Sequence, residues 1–121
     1  MRFIADLHIH SHYSISTSPR LTPEHLEAWA RIKGIGVIGS GDFTHPGWLG
    51  ELKEKLENAE EGLYRLKRDH RLEGTTALPI SSSGDGHPGP VRFVLSAEIS
   101  NIYRRGDRVR KVHNLILAPS F

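Results

Sequence analysis

Apolar residues recur at every second position near the start of the chain, and over residues 5–10 they alternate strictly with polar residues. Apolar side chains occupy positions 3, 5, 7 and 9, and polar side chains occupy positions 6, 8 and 10. Because a strand turns successive side chains to opposite faces, residues 2–10 are predicted to form a strand with Asp6, His8 and His10 on one face. His12 joins that face if the strand continues. Imidazoles that converge at the end of a strand are typical of a metal site.

The next segments predict a parallel β-α-β unit. Thr22 is typical of a helix N-cap, Pro23 suits the first helical position, and Gly34 suits the position after the last turn. Residues 36–39 form a short apolar run bounded by glycines, which indicates a buried strand that ends near Asp42. A strand, a helix and a second strand in this order favour an α/β fold.

The middle of the chain predicts one long helix followed by a loop and a strand. Over residues 49–72, apolar positions recur every three or four residues and the other faces are charged. Residues 79–90 are rich in Ser, Gly and Pro, which predicts a loop. Residues 91–97 are predicted to form another strand, with Glu98 at its end.

Composition narrows the chemistry that the chain can perform. The 121 residues include no cysteine, so disulfides and thiolate ligands are excluded and any metal must be bound by His, Asp and Glu. The formal charge of +2 permits nucleic-acid binding without requiring it. No apolar run has the length of a signal peptide core or a membrane span, so we expect a cytoplasmic protein without a membrane partner. The oligomeric state is left open.

Residues of metal-ligand type follow the predicted strands. Asp42 and His45 follow the second strand, Glu98 follows the third, and His113 lies near the start of the last strand. In parallel β/α folds, the loops after the strands gather at one end of the sheet, where ligands bind. With the imidazoles of the first strand, four segments are expected to contribute to one site for several divalent cations. Imidazole and carboxylate together suit Zn²⁺, Mn²⁺ or Fe²⁺.

Five segments resemble the motifs of the PHP-domain metallo-phosphoesterases, and they occur in the order of that family. They are Asp6-Leu7-His8-Ile9-His10-Ser11, Leu21-Thr22-Pro23-Glu24-His25-Leu26, Gly36-Val37-Ile38-Gly39-Ser40-Gly41-Asp42, Ser96-Ala97-Glu98-Ile99-Ser100 and Val112-His113-Asn114-Leu115-Ile116-Leu117. The form Gly41-Asp42-Phe43-Thr44-His45-Pro46 is similar to the endonuclease Q branch of the family. The resemblance implies a distorted β/α barrel. Since a closed barrel needs roughly 200 residues or more, residues 1–121 are expected to be the N-terminal part of a PHP domain, without its last metal-ligand motifs.

The resemblance also implies a cluster of two or three metal ions in the intact protein. His8 and His10 would bind one ion, and Glu98 would bridge two. His113 would serve another ion. The second motif would supply one further ligand, and the sequence leaves open whether that ligand is Asp42 or His45.

Further roles are expected for residues near this cluster. Asp42, His45 and Glu98 would take part in catalysis. Asp6 would orient a ligating imidazole, although an ordinary polar residue at a strand edge explains it equally well. His12 would replace a ligand that many members of the family carry in the first loop.

Residues 99–103 and 109–117 predict a β-hairpin with a basic tip. The cations suit contact with nucleic-acid phosphates, and a solvated tip explains them equally well. The aromatic residue beside them suits stacking on a base, but packing is the simpler explanation. The candidate nucleic-acid contacts are Tyr103, Arg104, Arg105, Arg108, Arg110 and Lys111.

These features predict a metal-dependent phosphoesterase in the intact protein. The endonuclease Q resemblance implies a DNA repair endonuclease that cleaves DNA near deaminated bases, with residues 1–121 inactive alone. One alternative is a small-molecule phosphatase of the histidinol-phosphate type, against which the basic hairpin argues mildly. Another is a non-catalytic module that binds metal or nucleic acid.

Overall fold

A computed structural model describes residues 2–73 and 90–121 of the chain. The predicted loop over residues 79–90 therefore lies, apart from Pro90, outside the described residues. In chain order the elements are β1 (Ile4–Asp6), α1 (Pro23–Lys33), β2 (Ile35–Gly39), α2 (Pro46–Lys55), β3 (Leu56–Asn58), β4 (Tyr64–Leu66), a 3-10 helix (Arg68–His70), β5 (Arg92–Arg105) and β6 (Arg108–Ala118).

The six strands form one mixed sheet. Its order is β1-β2-β5-β4-β3, and β6 pairs with β5. β1, β2 and β5 are mutually parallel, whereas β3, β4 and β6 pair antiparallel with their neighbours. The predicted α/β class and the parallel β1-α1-β2 unit are confirmed, because the carboxyl ends of β1 and β2 lie at the same edge of the sheet. Closure into a barrel remains a prediction.

Helix α1 begins and ends where its sequence signals predict. The Thr22 hydroxyl accepts a hydrogen bond from the backbone N–H of His25 at 3.4 Å, and Pro23 opens the first turn. Gly34 ends the helix in the left-handed conformation, with φ of 73°, where a residue without Cβ carries no steric cost. Leu26 and Ala30 are buried in the core on the inner side of this helix.

The prediction of one helix over residues 49–72 is wrong. Helix α2 ends at Lys55, and the chain then forms a β-hairpin from β3 and β4. Gly62 lies in the hairpin loop with φ of 75°, which a continuous helix does not allow. In β4 the buried residues Tyr64 and Leu66 alternate with an exposed one, and Tyr64 pairs with Phe93 of β5. The spacing of leucines fitted a helix, but tertiary pairing with β5 determined the structure.

Two strand boundaries also differ from prediction. β1 ends at Asp6 rather than at residue 10, because the following segment crosses over the glycines at the end of β2 instead of continuing the ladder. β5 does not stop before Glu98. It continues to Arg105 and forms one strand of the predicted hairpin with β6. The hairpin itself is confirmed, with Arg105 opposite Arg108.

The core lies between α1, α2 and the sheet. Trp48 and Leu52 of α2 and Phe93 and Leu95 of β5 are fully buried there. The indole Nε1 of Trp48 donates a hydrogen bond to the carbonyl oxygen of Gly41 at 2.8 Å, and this bond links the loop after β2 to α2. Among the described residues, no helix has the length and apolar character needed to cross a membrane.

The close approach of the segment after β1 to Gly39 makes a testable prediction. A Cβ at position 39 would lie 2.5 Å from both the carbonyl oxygen of Leu7 and Oγ of Ser96, so Gly39→Ala should lower the free energy of unfolding by about 3 kcal/mol or more. Gly50→Ala is the control: nothing lies within 4 Å, and Ala in helix α2 should add about 0.5–1 kcal/mol. Urea denaturation measures both. Equal midpoints for the two variants would contradict this packing.

Candidate metal centre

The centre is built around one carboxylate, that of Glu98 in β5. Nε2 of His8 lies 2.7 Å from Oε2 of Glu98, and Nε2 of His10 lies 3.2 Å from the same oxygen. Both imidazoles come from the segment that follows β1. Their rings meet edge to face, with centroids 5.7 Å apart. The two alternate histidines of the sequence thus converge on an acid that is 88 to 90 positions away in the chain.

His113 approaches the same carboxylate from β6. It pairs with Ser100 across the β5–β6 ladder, and therefore shares a face with Glu98. Its Nδ1 contacts the second carboxylate oxygen, Oε1. The hydrogen bonds from His8 and from His113 hold the pKa of Glu98 below its ordinary value of 4.5. Glu98 is accordingly a charged acceptor shared among imidazoles.

The donor set fits a divalent cation. Ligand atoms of His8, His10 and Glu98 all lie within 4.8 Å of one another. An ion at bonding distances of about 2 Å would fit among atoms so placed. Two imidazole nitrogens with a carboxylate oxygen suit Zn²⁺, Mn²⁺ or Fe²⁺.

Asp42 lies beside this group, but most of its hydrogen-bonding capacity is already used. Its Oδ2 accepts from the backbone N–H and from Oγ of Ser11 and from Oγ of Ser14, each at 2.7 Å. Oδ1 lies 3.4 Å from Nδ1 of His10. Burial raises the pKa of Asp42, but the hydrogen bonds from Ser14 and Ser11 outweigh it and hold the pKa below 3.8. The contribution of these bonds to stability is therefore complete above pH 3.8 and is lost as the pH falls through the lowered pKa.

His45 lies at the N-terminus of α2 and not in the imidazole group around Glu98. Its Nδ1 accepts from the backbone N–H of Trp48 at 3.4 Å, which caps the helix. Its ring stacks on Tyr13 with centroids 4.4 Å apart. A cavity of about 370 Å³ nevertheless joins His45 to Asp42 and Glu98. Between the two candidates from the second motif, Asp42 is the one that contacts a histidine of the centre.

The remaining candidates occupy other positions. Nε2 of His12 lies 2.8 Å from Oε2 of Glu51 in α2, so this imidazole faces a helix rather than the centre. Asp6 lies on the exposed strand β1, opposite Ile38, and takes no part in the hydrogen bonds around Glu98. The basic candidates lie in the exposed outer part of the β5–β6 hairpin, as does Tyr103, which is 46% exposed.

Sequence reasoning missed three residues that support the centre. Ser11 and Ser14 lie in the serine-rich segment after the first predicted strand, and both donate hydrogen bonds to Asp42. Glu51 falls on a charged face of the helix predicted over residues 49–72, but it pairs with His12 and with Lys55. The serine-rich composition of the loop was the available signal for the first two. Glu51 carried no signal, because its partner is 39 residues away.

No protein-family model matches the chain. An uncharacterized protein of Methanocaldococcus jannaschii is 45% identical over 77 residues, which cover 64% of this chain and 10% of that protein. The chain therefore spans about a tenth of the length of this curated relative.

Two solved structures are similar to the fold. The lesion-specific endonuclease PfuEndoQ from Pyrococcus furiosus matches with a TM-score of 0.56 and 29% identity, over 79% of this chain and 18% of that chain. A complex of endonuclease Q with a 27-mer duplex substrate that has an abasic lesion at the active site matches with a TM-score of 0.55 and 28% identity, over 79% and 19%. The chain is thus similar to about a fifth of endonuclease Q, in agreement with that part of the sequence resemblance.

The hydrogen bonds to Asp42 predict a stability difference between two substitutions. Asp42→Ala leaves the buried N–H of Ser11 without its acceptor and places alanine at φ of 44°, so it should lower the free energy of unfolding by about 3–5 kcal/mol. Asp42→Asn retains an acceptor and tolerates this φ, so it should cost about 1–2 kcal/mol. Urea denaturation in EDTA measures both, with the exposed Thr44→Ala as control. An Asp42→Ala midpoint equal to that of Thr44→Ala would refute this role.

Proposed function

We propose that the chain is the metal-binding N-terminal part of a PHP-type domain, and that the intact protein is a metal-dependent endonuclease that acts on damaged DNA. The observation that carries this proposal is the convergence of His8, His10 and His113 on Glu98, in a fold similar to a lesion-specific endonuclease. Neither the convergence of the histidines on Glu98 nor the similarity of fold is sufficient alone. Similar folds serve different reactions, and histidine–carboxylate groups also occur without metal.

The chemistry of phosphodiester hydrolysis explains the residue types. His8, His10, Glu98 and His113 would hold the divalent ions, and Asp42 would hold the ring of His10 through Nδ1. Bound ions would lower the pKa of water to near 7 and neutralise charge on the phosphoryl oxygens. The side chains themselves fix the positions of the imidazole rings. Glu98 accepts hydrogen bonds from imidazoles on both its oxygens, which orients the rings relative to one another. His45, on the wall of the same cavity, is a candidate to contact the substrate.

The substrate proposal follows from similarity and charge. The similar structures are a lesion-specific endonuclease and a complex with lesion-containing duplex DNA. Five cations in the outer part of the β5–β6 hairpin, the element that also carries Glu98 and His113, suit a polyanion rather than a small phosphate ester. We therefore propose DNA with deaminated or missing bases as the substrate class. The residues that would recognise a base are not assigned.

A nicking assay on the intact protein tests the proposal. Duplexes with uracil, hypoxanthine or an abasic site should be cleaved in Mn²⁺, Mg²⁺ or Zn²⁺ and not in EDTA. The double substitution His8→Ala and His10→Ala should lower the rate by more than about 100-fold, because two ligands of one ion are lost.

The control is His70→Ala, which removes an imidazole of the 3-10 helix whose Nδ1 lies 3.7 Å from Oε1 of Glu24 and which is not in the group around Glu98, so it should leave the rate unchanged. p-Nitrophenyl phosphate in parallel separates a nuclease from a small-molecule phosphatase. Absence of metal-dependent cleavage of every lesion duplex, or the wild-type rate in the doubly substituted protein, would refute the proposal.

A further inference from the structure

The outer part of the β5–β6 hairpin, residues 99–114, forms an arm that extends beyond the rest of the sheet. All of its residues except Ile99 are exposed, and its two strands pair from Ile99 opposite Asn114 to Arg105 opposite Arg108. The turn at its tip is Gly106-Asp107, with φ of 61° at Gly106, which is the geometry of a two-residue hairpin loop. The arm is therefore a two-stranded ribbon with solvent on both faces.

The cations of the arm are divided between these two faces. Alternation from Glu98 places Arg104 on the face of the metal centre, and pairing with Ile102 places Lys111 there too. Arg105, Arg108 and Arg110 lie on the reverse face, with Tyr103. Within residues 2–73 and 90–121, none of the five cations forms an ion pair. The arm contains one acidic residue, Asp107.

Cations on both faces suit a ligand that presents phosphates on both sides of the arm. A duplex lying flat against the metal-centre face would meet Arg104 and Lys111 and would leave the three reverse-face arginines in solvent. The major groove of B-DNA is about 12 Å wide, admits a two-stranded ribbon and has a wall of phosphates on each side. The minor groove, about 6 Å wide, does not admit one.

We propose that the arm inserts into the major groove of duplex DNA, with its two faces toward opposite phosphate walls, and so holds the duplex against the metal centre. This inference rests on the proposed function, which it deepens by naming a binding mode. Arg104 is six residues from Glu98 along β5, or about 20 Å at 3.3 Å per residue. That length corresponds to about six base pairs along the duplex axis. The arm should therefore contact phosphates up to about six base pairs to one side of the reacting phosphate.

Duplex binding by the 121-residue chain, measured in EDTA over a range of salt concentrations, tests the inference without cleavage. Substituting Arg105, Arg108 and Arg110 by alanine should weaken binding and reduce the slope of log K against log salt by about 2–3, at 0.9 per phosphate contact. Arg104→Ala with Lys111→Ala should reduce it by about 2. The matched control removes three exposed cations outside the arm, Arg20, Lys33 and Arg68, and should leave the slope unchanged.

Groove-specific competitors complete the test. Methyl green, which occupies the major groove, should displace the chain, whereas netropsin, which occupies the minor groove, should not. Wild-type affinity and slope in the reverse-face variant, an equal loss in the control, or displacement by netropsin would each overturn the inference.

Loss of binding in both arm variants, with no metal-dependent cleavage by the intact protein, would support the binding role of the arm and refute the proposed nuclease activity. Cleavage that is insensitive to all arm substitutions would refute the arm and leave the nuclease standing.

Discussion

The centre depends on the sharing of one carboxylate by imidazoles from two distant parts of the chain. Glu98 accepts from His8 on one oxygen and from His113 on the other, and its pKa is lowered accordingly. This arrangement requires that the segment after β1, the end of β2 and the middle of β5 approach closely. Gly39 and Gly41 permit that approach, since a Cβ at either position would lie 2.5 Å from a backbone oxygen of residues 7–9. The sheet order β1-β2-β5 is thus the structural basis of the site.

The two carboxylates of the site have different environments and hence different uses. Glu98 accepts its hydrogen bonds from imidazoles, which a cation readily replaces as partner. Asp42 accepts from a backbone N–H and two serine hydroxyls, which hold the loop after β1 against the loop after β2. Its positive φ of 44° is a strained conformation that these bonds stabilise. Glu98 is therefore the carboxylate whose partners a bound cation would replace, whereas Asp42 chiefly holds the two loops together.

Sequence signals predicted the elements that depend on contacts between residues close together in the chain. Thr22, Pro23 and Gly34 bound α1 because capping depends on neighbouring residues. Alternation from residue 3 to residue 10 predicted the convergence of His8 and His10 even though β1 itself is short. The helix over residues 49–72 was wrong because leucine spacing does not report a partner strand such as β5. The pairing of Glu51 with His12 and the division of the arm's cations between two faces depend on tertiary contacts and register, which periodicity alone does not give.

The most direct test of this account is a crystal structure of the chain grown with Zn²⁺ or Mn²⁺, with anomalous diffraction recorded at the absorption edge of the metal. We expect an anomalous peak about 2.0–2.2 Å from an imidazole nitrogen of His8, one of His10 and a carboxylate oxygen of Glu98. A metal-loaded crystal in which these three side chains point away from one another and the ions lie elsewhere on the chain would contradict a metal centre built on Glu98.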